Sequence, residues 1–416
     1  MIYIIQSIDI AKIVNNVSSL IKGGSTAIPG KIAETIDKEY LKKINIEDSF
    51  TIFVTGTNGK TTTTSYLRQM IARLLKDNKT NVLCNKEGSN MIQGIGTTLI
   101  KSAEKNEDKY FIKDKVIILE VDELTVPKII KHGIKPNLIV ITNIEKDQED
   151  RTNSPEYVGG LLNKTIKEEN INTIIFKPYS NYIKRLDKES GKTNCAWAYE
   201  KTKDQITVEL KTFDNETIAT KTIKRGIDYP DSVPEYLLIN WINAYIVTVF
   251  LQETDIIPHG IIKAANLDVS GRNERITVKS AYLGNYISLN LDLCKNELGL
   301  DAVIKSIKPE REFIIAVNLG RQAADGNNLS WFFNYDMSKL TSNPYFKGLY
   351  VTGDFPDYVT DEYNKKFNIN AKNINHIYKL KQSNSDVYYI CNYSKLKETK
   401  NAIDKRKYLI EGILYM

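Results

Sequence analysis

The stretch TIFVTGTNGKTTTTSYLRQMIARLLKD, residues 51–77, constrains this chain more than any other. Its apolar opening over 51–54 reads as a buried strand, residues 56–59 as a glycine turn, and the remainder as a helix starting near Lys60. A strand that feeds a helix through such a turn makes a phosphate cradle. Gly56 and Gly59 let the backbone N–H groups of Thr57, Asn58 and Thr62 turn inward, and the helix start adds the positive end of its dipole. Lys60 brings a point charge, and the Thr61 hydroxyl can reach a Mg²⁺ ion, so the set suits a nucleoside triphosphate. The loop is a short variant: where the usual pattern has a glycine five residues before Gly59, this chain has Val54.

Beyond the loop, VLCN, KVIILEVDE (115–123) and NLIVITNIE (137–145) read as strands, with a helix over VPKIIKHG and another from about residue 155. Long apolar strands alternating with helices predict an α/β fold, a parallel sheet with helices on both faces. Residues 195–225 alternate polar and β-branched side chains, as an inserted antiparallel hairpin does. Helices over 236–252 and 257–266 are expected to close this domain. GRNERITV then opens a second alternation, in which REFIIAVNLG, GLYVTGD and DVYYIC are the apolar strands. The expected division is a helical lead-in over 1–48, an ATP-binding domain over 49–272 and a smaller α/β domain over 273–416.

Ligands of an open α/β sheet gather at the carboxyl ends of its strands. Glu120 falls at such an end and is expected to share Mg²⁺ with Thr61, whereas Asp122 and Glu123 read as loop or cap residues. After the next strand come Asp147, Gln148 and Asp150, and for Asp147 a metal role and a solvated loop position remain equally open.

Composition excludes several classes. With 42% hydrophobic residues in 416, the chain can bury ordinary cores, and its net charge of +6 is spread along it instead of gathered in a basic block, which argues against nucleic acid. Cys84, Cys195, Cys294 and Cys391 form no CxxC pair, so neither a zinc ribbon nor a disulfide framework is expected, and a reducing cytoplasm fits. The opening MIYIIQSIDIAKIV carries Asp9 and Lys12 and reads as a helix instead of a signal peptide. The longest uncharged stretch, 17 residues over 236–252, contains Asn240, Asn243 and Gln252, as a buried helix does; no transmembrane segment is expected.

GTNGKTTTT, the ILEVDE strand end and TNIEKDQEDR together resemble the central ATPase domain of the Mur ligases and the related folylpolyglutamate synthases. GGSTAIPGKIAETIDKEYLKKI, NKEGSNMIQGIGTTLI, DQEDR and ADGNNLSWFFNYD resemble the MurT branch, the ligase-like subunits of lipid II isoglutaminyl synthase. The resemblance implies a P-loop Mur-ligase central domain followed by a smaller Rossmann-like α/β domain. It also implies an ATP-dependent, ADP-forming ligase that activates a carboxylate as an acyl phosphate and lets an amine displace the phosphate. By the same resemblance Asn243 contacts adenine, Arg272 approaches the phosphates and Asp292 the ribose, while Lys60 and Glu120 serve the phosphoryl transfer. The substrate implied is a cell-wall peptide precursor, free or lipid-linked, and the implied amine donor is ammonia from a GatD-like glutaminase partner.

Three departures stand beside the resemblance. The four-cysteine zinc ribbon of many relatives is missing, so no structural zinc is predicted. Their DGxDxSW motif reads Asp325-Gly326-Asn327-Asn328-Leu329-Ser330-Trp331, with Asn328 at the second Asp; the resemblance implies an Asp here that orients the partner glutaminase's histidine, a role an Asn does not fill and for which Asp325 stays open. Their KNPAG-like segment reads Lys295-Asn296-Glu297-Leu298-Gly299. Only about 50 residues precede the loop, too few for the uridine-nucleotide domain of other Mur ligases. Alternatives are a free-standing peptide ligase acting on a murein- or pseudomurein-like precursor, and a nucleotide-binding regulator without catalysis.

Overall fold

The computed structural model describes residues 6–19, 27–46, 48–75, 81–85, 89–107, 109–145, 154–176, 194–202, 205–224, 226–229, 234–262, 271–279, 286–320, 329–374 and 385–401. They divide into two compact units: one holds the described residues up to 145, 154–229 and 237–262, the other 234–236 and those from 271 onward.

In the first unit the chain runs through α1 (Ser7–Ser19), α2 (Ile28–Ile36), β1 (Ile44–Asn45), β2 (Phe50–Thr55), α3 (Lys60–Leu74), β3 (Val82–Cys84) and α4 (Ile92–Ser102). It continues through β4 (Glu104–Asn106), β5 (Lys109–Phe111), β6 (Val116–Glu120), α5 (Val126–Lys131), β7 (Leu138–Ile141), α6 (Pro155–Glu169) and β8 (Asn172–Phe176). It ends with β9 (Asn194–Lys201), β10 (Gln205–Thr212), β11 (Thr217–Lys224) and α7 (Glu235–Glu253).

Among the described residues one eight-stranded sheet has the order β11-β10-β9-β8-β7-β2-β6-β3. From β3 to β9 neighbours are parallel, and β10 and β11 add an antiparallel edge. The segment expected as an inserted hairpin therefore extends the main sheet: β9 pairs with β8 through Thr173↔Asn194 to Phe176↔Trp197, which buries Trp197 against Phe176.

The central strands are buried on both faces, as continuous apolar runs require. Phe53, Leu119, Ile139 and Ile175 face a core shared with Ile8, Ala33, Leu99, Ile129 and Leu162 from α1, α2, α4, α5 and α6. The alternate residues Ile52, Ile118 and Val140 face the other way, the side on which α3 packs against β2, β3 and β6. There α3 meets α7, where the Thr248 hydroxyl lies 3.8 Å from Met70 Sδ. Helix α7 coincides with the uncharged stretch, and among the described residues no helix is long and apolar enough to cross a membrane.

The helix expected over 257–266 does not form in its described part: residues 258–262 are irregular. Gln252 Nε2 donates to the carbonyls of Pro258 at 3.2 Å and Gly260 at 3.0 Å, which ties the segment to the end of α7 and engages carbonyls that a helix would pair with its own N–H groups.

The second unit contains β12 (Glu274–Lys279), β13 (Tyr286–Leu293), α8 (Glu297–Ser306), β14 (Phe313–Leu319), α9 (Ser330–Asn334), β15 (Phe346–Gly353), α10 (Pro356–Phe367), β16 (Lys372–Asn373) and β17 (Asp386–Cys391). Its six-stranded sheet has the order β12-β13-β17-β14-β15-β16, parallel except for β12. Strand β14, buried along its whole length, is the centre of a core with Val303, Phe332, Val351 and Tyr363.

Candidate active site

The site grows from the carboxyl ends of β2, β6 and β7, adjacent at the middle of the first sheet. Strand β2 ends at Thr55, the chain turns through residues 56–59, and α3 starts at Lys60 with no side chain capping its N-terminus. The uncapped first turn leaves N–H groups directed at whatever binds there. Gly59 has φ +82°, and a Cβ on it would stand 2.0 Å from Asn240 Oδ1 of α7. Gly56 has φ +123°, with Thr142 Oγ1 only 2.4 Å from where its Cβ would be. Both glycines are thus required twice, by their left-handed torsion and by a neighbour pressed against the loop.

That neighbour at Gly56 is the end of β7. Thr57 N donates to Asn143 O at 3.0 Å, and Asn58 N to Asn143 Oδ1 at 2.8 Å. Asn143 Nδ2 donates back to Asn58 O at 2.9 Å, an oxygen that also takes the Thr142 hydroxyl at 2.7 Å. Glu145 N donates to Thr57 Oγ1 at 3.0 Å, and Asn58 Nδ2 reaches Glu145 Oε2 at 3.3 Å. The cradle is fixed by side chains of the adjacent strand end as well as by its own sequence.

Lys60 is buried, and its ammonium donates to the carbonyls of Gly56 and Thr57. It also lies 3.4 Å from Glu123 Oε2 and 3.5 Å from Oε1. The Thr61 hydroxyl donates to Glu120 Oε2 at 2.8 Å, while Asn90 Nδ2 holds Oε1 at 3.3 Å. Asn85, just beyond β3, accepts from Glu120 N at 2.8 Å and donates to Glu120 O at 2.9 Å, so the backbone carrying this carboxylate is clamped on both sides. A hydroxyl and a carboxylate converging at the mouth of a phosphate cradle are hard oxygen donors suited to Mg²⁺, which binds through one or two carboxylates with substrate phosphates and water. Among the described residues no three His, Cys, Asp or Glu side chains gather as a metal cluster.

Asn243, one turn after Asn240 on α7, is 1% exposed, and its Oδ1 has no hydrogen-bond partner. An orphaned buried acceptor has the chemistry to take a hydrogen bond from an amine or N–H donor.

Arg272 and Asp292 belong to the second unit, where they lie together. Asp292 Oδ1 accepts from Tyr236 OH at 2.5 Å and from Asn273 N at 2.9 Å, and Arg272 donates to Leu293 O. Burial holds the Asp292 carboxyl above the usual aspartate range, against the lowering pull of the tyrosine bond, the backbone bond and the Arg272 charge. Asp325 and Asn328, and likewise Asp147, Gln148 and Asp150, lie outside the described residues.

The structure thus brings Gly56, Thr57, Asn58, Gly59, Lys60, Thr61, Thr62 and Glu120 together, with Asn240 of α7 against the loop and Asn243 buried one turn further along that helix. It adds Glu123, Asn85, Asn90, Asn143, Glu145 and Asn240, none of which the sequence assigned to the site. Asn85 and Asn143 each sit just past an apolar strand, the same signal that marked Glu120. Glu123, read as a loop or cap residue, is the ion partner of Lys60.

Residues 54–234 match the Mur ligase middle domain, and residues 293–396 match the MurT ligase C-terminal domain. The lipid II isoglutaminyl synthase (glutamine-hydrolyzing) subunit MurT of Staphylococcus aureus (strain COL) is 26% identical over 395 residues, covering 83% of this chain and 84% of that protein. Among solved structures, MurF from Acinetobacter baumannii aligns with a TM-score of 0.57 at 13% identity, over 88% of this chain and 80% of that one. E. coli FolC in complex with DHPP and ADP aligns with a TM-score of 0.57 at 16% identity, over 88% of this chain and 90% of that one. At such identities the likeness concerns the fold, which is the α/β arrangement expected from the alternation of elements. A segment matching the Mur ligase middle domain is thus followed in a single chain by one matching the MurT ligase C-terminal domain, and over most of its length this protein is similar to the MurT subunits.

Proposed function

We propose that this chain is an ATP-dependent carbon–nitrogen ligase of cell-wall precursor biosynthesis, which activates a peptide carboxylate and amidates it with ammonia delivered by a partner glutaminase. The observation that carries the reading is the constellation of the uncapped α3 start, Lys60 and the Thr61–Glu120 pair at the carboxyl edge of the sheet. Mur ligases as a family are ATP-dependent and use Mg²⁺. The S. aureus relative is named as one subunit of a glutamine-hydrolysing lipid II isoglutaminyl synthase, which supports amidation of a lipid-linked precursor.

In the reaction a substrate carboxylate oxygen attacks the γ-phosphorus of ATP, the bond to the β-phosphate oxygen breaks, and ADP leaves. Ammonia then attacks the acyl carbon, the C–O bond to phosphate breaks, and the amide forms with release of phosphate and a proton. Phosphoryl transfer asks the protein for position and charge neutralisation more than for covalent chemistry. Backbone N–H groups at the start of α3 and the Lys60 ammonium hold the phosphates, while the N–H groups of Thr57 and Asn58 are taken by Asn143. Thr61 and Glu120 would hold Mg²⁺, which neutralises charge on the phosphate oxygens when bound. Asn243 supplies the acceptor for the adenine amine. In this reading Arg272 and Asp292 serve the phosphates and ribose, and Asp325 orients a histidine of the glutaminase.

None of the four cysteines has the setting of a glutaminase nucleophile, Cys84 being pushed up to about 12 by burial. Burial pushes the Cys195 thiol up to about 12 and raises Cys294 and Cys391 as well, opposite to the lowered pKa of a nucleophilic thiol.

The test supplies the purified protein with Mg²⁺, ATP and a lipid-linked peptide precursor, and gives ammonium salts or single amino acids as amine donor. The reading expects ADP release and amide formation with ammonium, both lost in Lys60→Ala. Product formation with an amino acid and none with ammonium would replace it with a free-standing peptide ligase. A wild-type protein that binds ATP but releases no ADP and forms no product with any donor would leave a nucleotide-binding role without catalysis.

A further inference from the structure

We infer that Glu123 is the resident counter-ion of Lys60, a positioning residue from which the nucleotide's phosphates must draw the ammonium away, so that nucleotide binding exchanges one anion for another. The inference rests on the nucleotide-binding reading of the loop.

The two carboxylates after β6 have divided tasks. Glu120 is engaged by the Thr61 hydroxyl and Asn90, while Glu123 faces the Lys60 ammonium. The side chains of Lys60 and Glu123 are only 9% and 12% exposed, so an ammonium there has lost most of its water. The carbonyls of Gly56 and Thr57 offer it partial charges, and Glu123 supplies the full opposite charge that burial demands. Glu123 is held in place by its turn. Leu124 N donates to Asp122 Oδ1 at 3.1 Å, and the N–H groups of Thr125 and Val126 donate to Asp122 O at 2.8 and 3.1 Å.

The pair is also built to be broken. Its separations of 3.4 and 3.5 Å exceed the roughly 2.7–2.9 Å of a strong charge-assisted hydrogen bond, so Lys60 can turn to a phosphate oxygen without giving up an optimal contact. Glu123 then stays behind as a buried anion facing a polyphosphate. It keeps Lys60 directed at an empty cradle and opposes any nucleotide whose charge is not already offset by Mg²⁺.

The experiment is calorimetric titration of the full-length protein with ATP, once in excess chelator and once with Mg²⁺, comparing wild type, Glu123→Gln and Glu123→Asp, with a melting curve for each. Glu123→Gln is expected to bind metal-free ATP about tenfold more tightly than wild type, with a smaller gain for Mg-ATP. Glu123→Asp, which keeps the charge, is expected to stay near wild type. A gain in affinity is a result that a damaged fold does not produce. Unchanged or weaker ATP binding by Glu123→Gln overturns the inference, and so does equal tightening with and without Mg²⁺. A wild-type protein that binds no ATP defeats the functional reading itself, which is distinguishable because no variant is needed to see it.

Discussion

Gly59→Ala separates a torsional requirement from a packing one. Gly59 adopts φ +82°, and a Cβ built on it would lie 2.0 Å from Asn240 Oδ1, a distance at which something must move. Left-handed backbone costs a non-glycine residue about 1–2 kcal/mol. Forcing a methyl into occupied space costs about 1–3 kcal/mol more. Together the substitution should destabilise the first unit by about 2–5 kcal/mol, a fall in melting midpoint of roughly 5–15 °C at this domain size. Asn240→Ala removes the obstructing amide and leaves the torsion as it is. In that background Gly59→Ala should cost only the torsional share, so a double-mutant cycle read by urea denaturation should show coupling of about 1–3 kcal/mol. Additivity to within about 0.5 kcal/mol would mean that the Asn240 side chain swings aside freely, and the argument that α7 presses on the loop would be wrong.

Asn85→Ala leaves the N–H and C=O of Glu120 without their partner in a buried setting, and should lower unfolding free energy by about 2–5 kcal/mol in denaturant titration. Asn90→Ala frees Glu120 Oε1 and should raise the Mg²⁺ concentration for half-maximal ATP turnover about tenfold, with the melting curve nearly unmoved. Glu120→Gln should reduce Mg²⁺-dependent turnover far more than nucleotide binding in chelator; equal losses in both would remove it from the metal site. Asp292 has a raised carboxyl pKa in the folded chain, so it favours folding below the ordinary aspartate range and loses that contribution as pH rises through the raised value. Asp292→Asn should therefore gain stability relative to wild type as pH rises above the ordinary aspartate range, where the buried carboxyl has to ionise. Parallel pH–stability curves for the two proteins would refute the burial argument.

Much of this protein is legible along the chain because its main signals are local. Strand, glycine turn and helix are successive in sequence, and the apolar runs that became β2, β6, β7 and β14 are buried on both faces whatever their neighbours. The helix expected over 257–266 failed for a reason that is not local: the capture of the Pro258 and Gly260 carbonyls by Gln252 depends on how the chain folds back.

The sequence by itself determined the class of fold, the strand–glycine turn–helix unit around Gly56 to Thr62, and the placing of Glu120 at a strand end, since each depends on residue type and spacing over a few positions. Only the tertiary structure decided what completes the site. Asn143 clamps Asn58 from 85 residues away, Asn240 closes on Gly59, and Glu123 turns out to be an ion partner where a turn residue was expected. Those pairings arise because parallel strands bring distant carboxyl ends side by side and α7 packs along the loop, and no local pattern records which side chains will then meet.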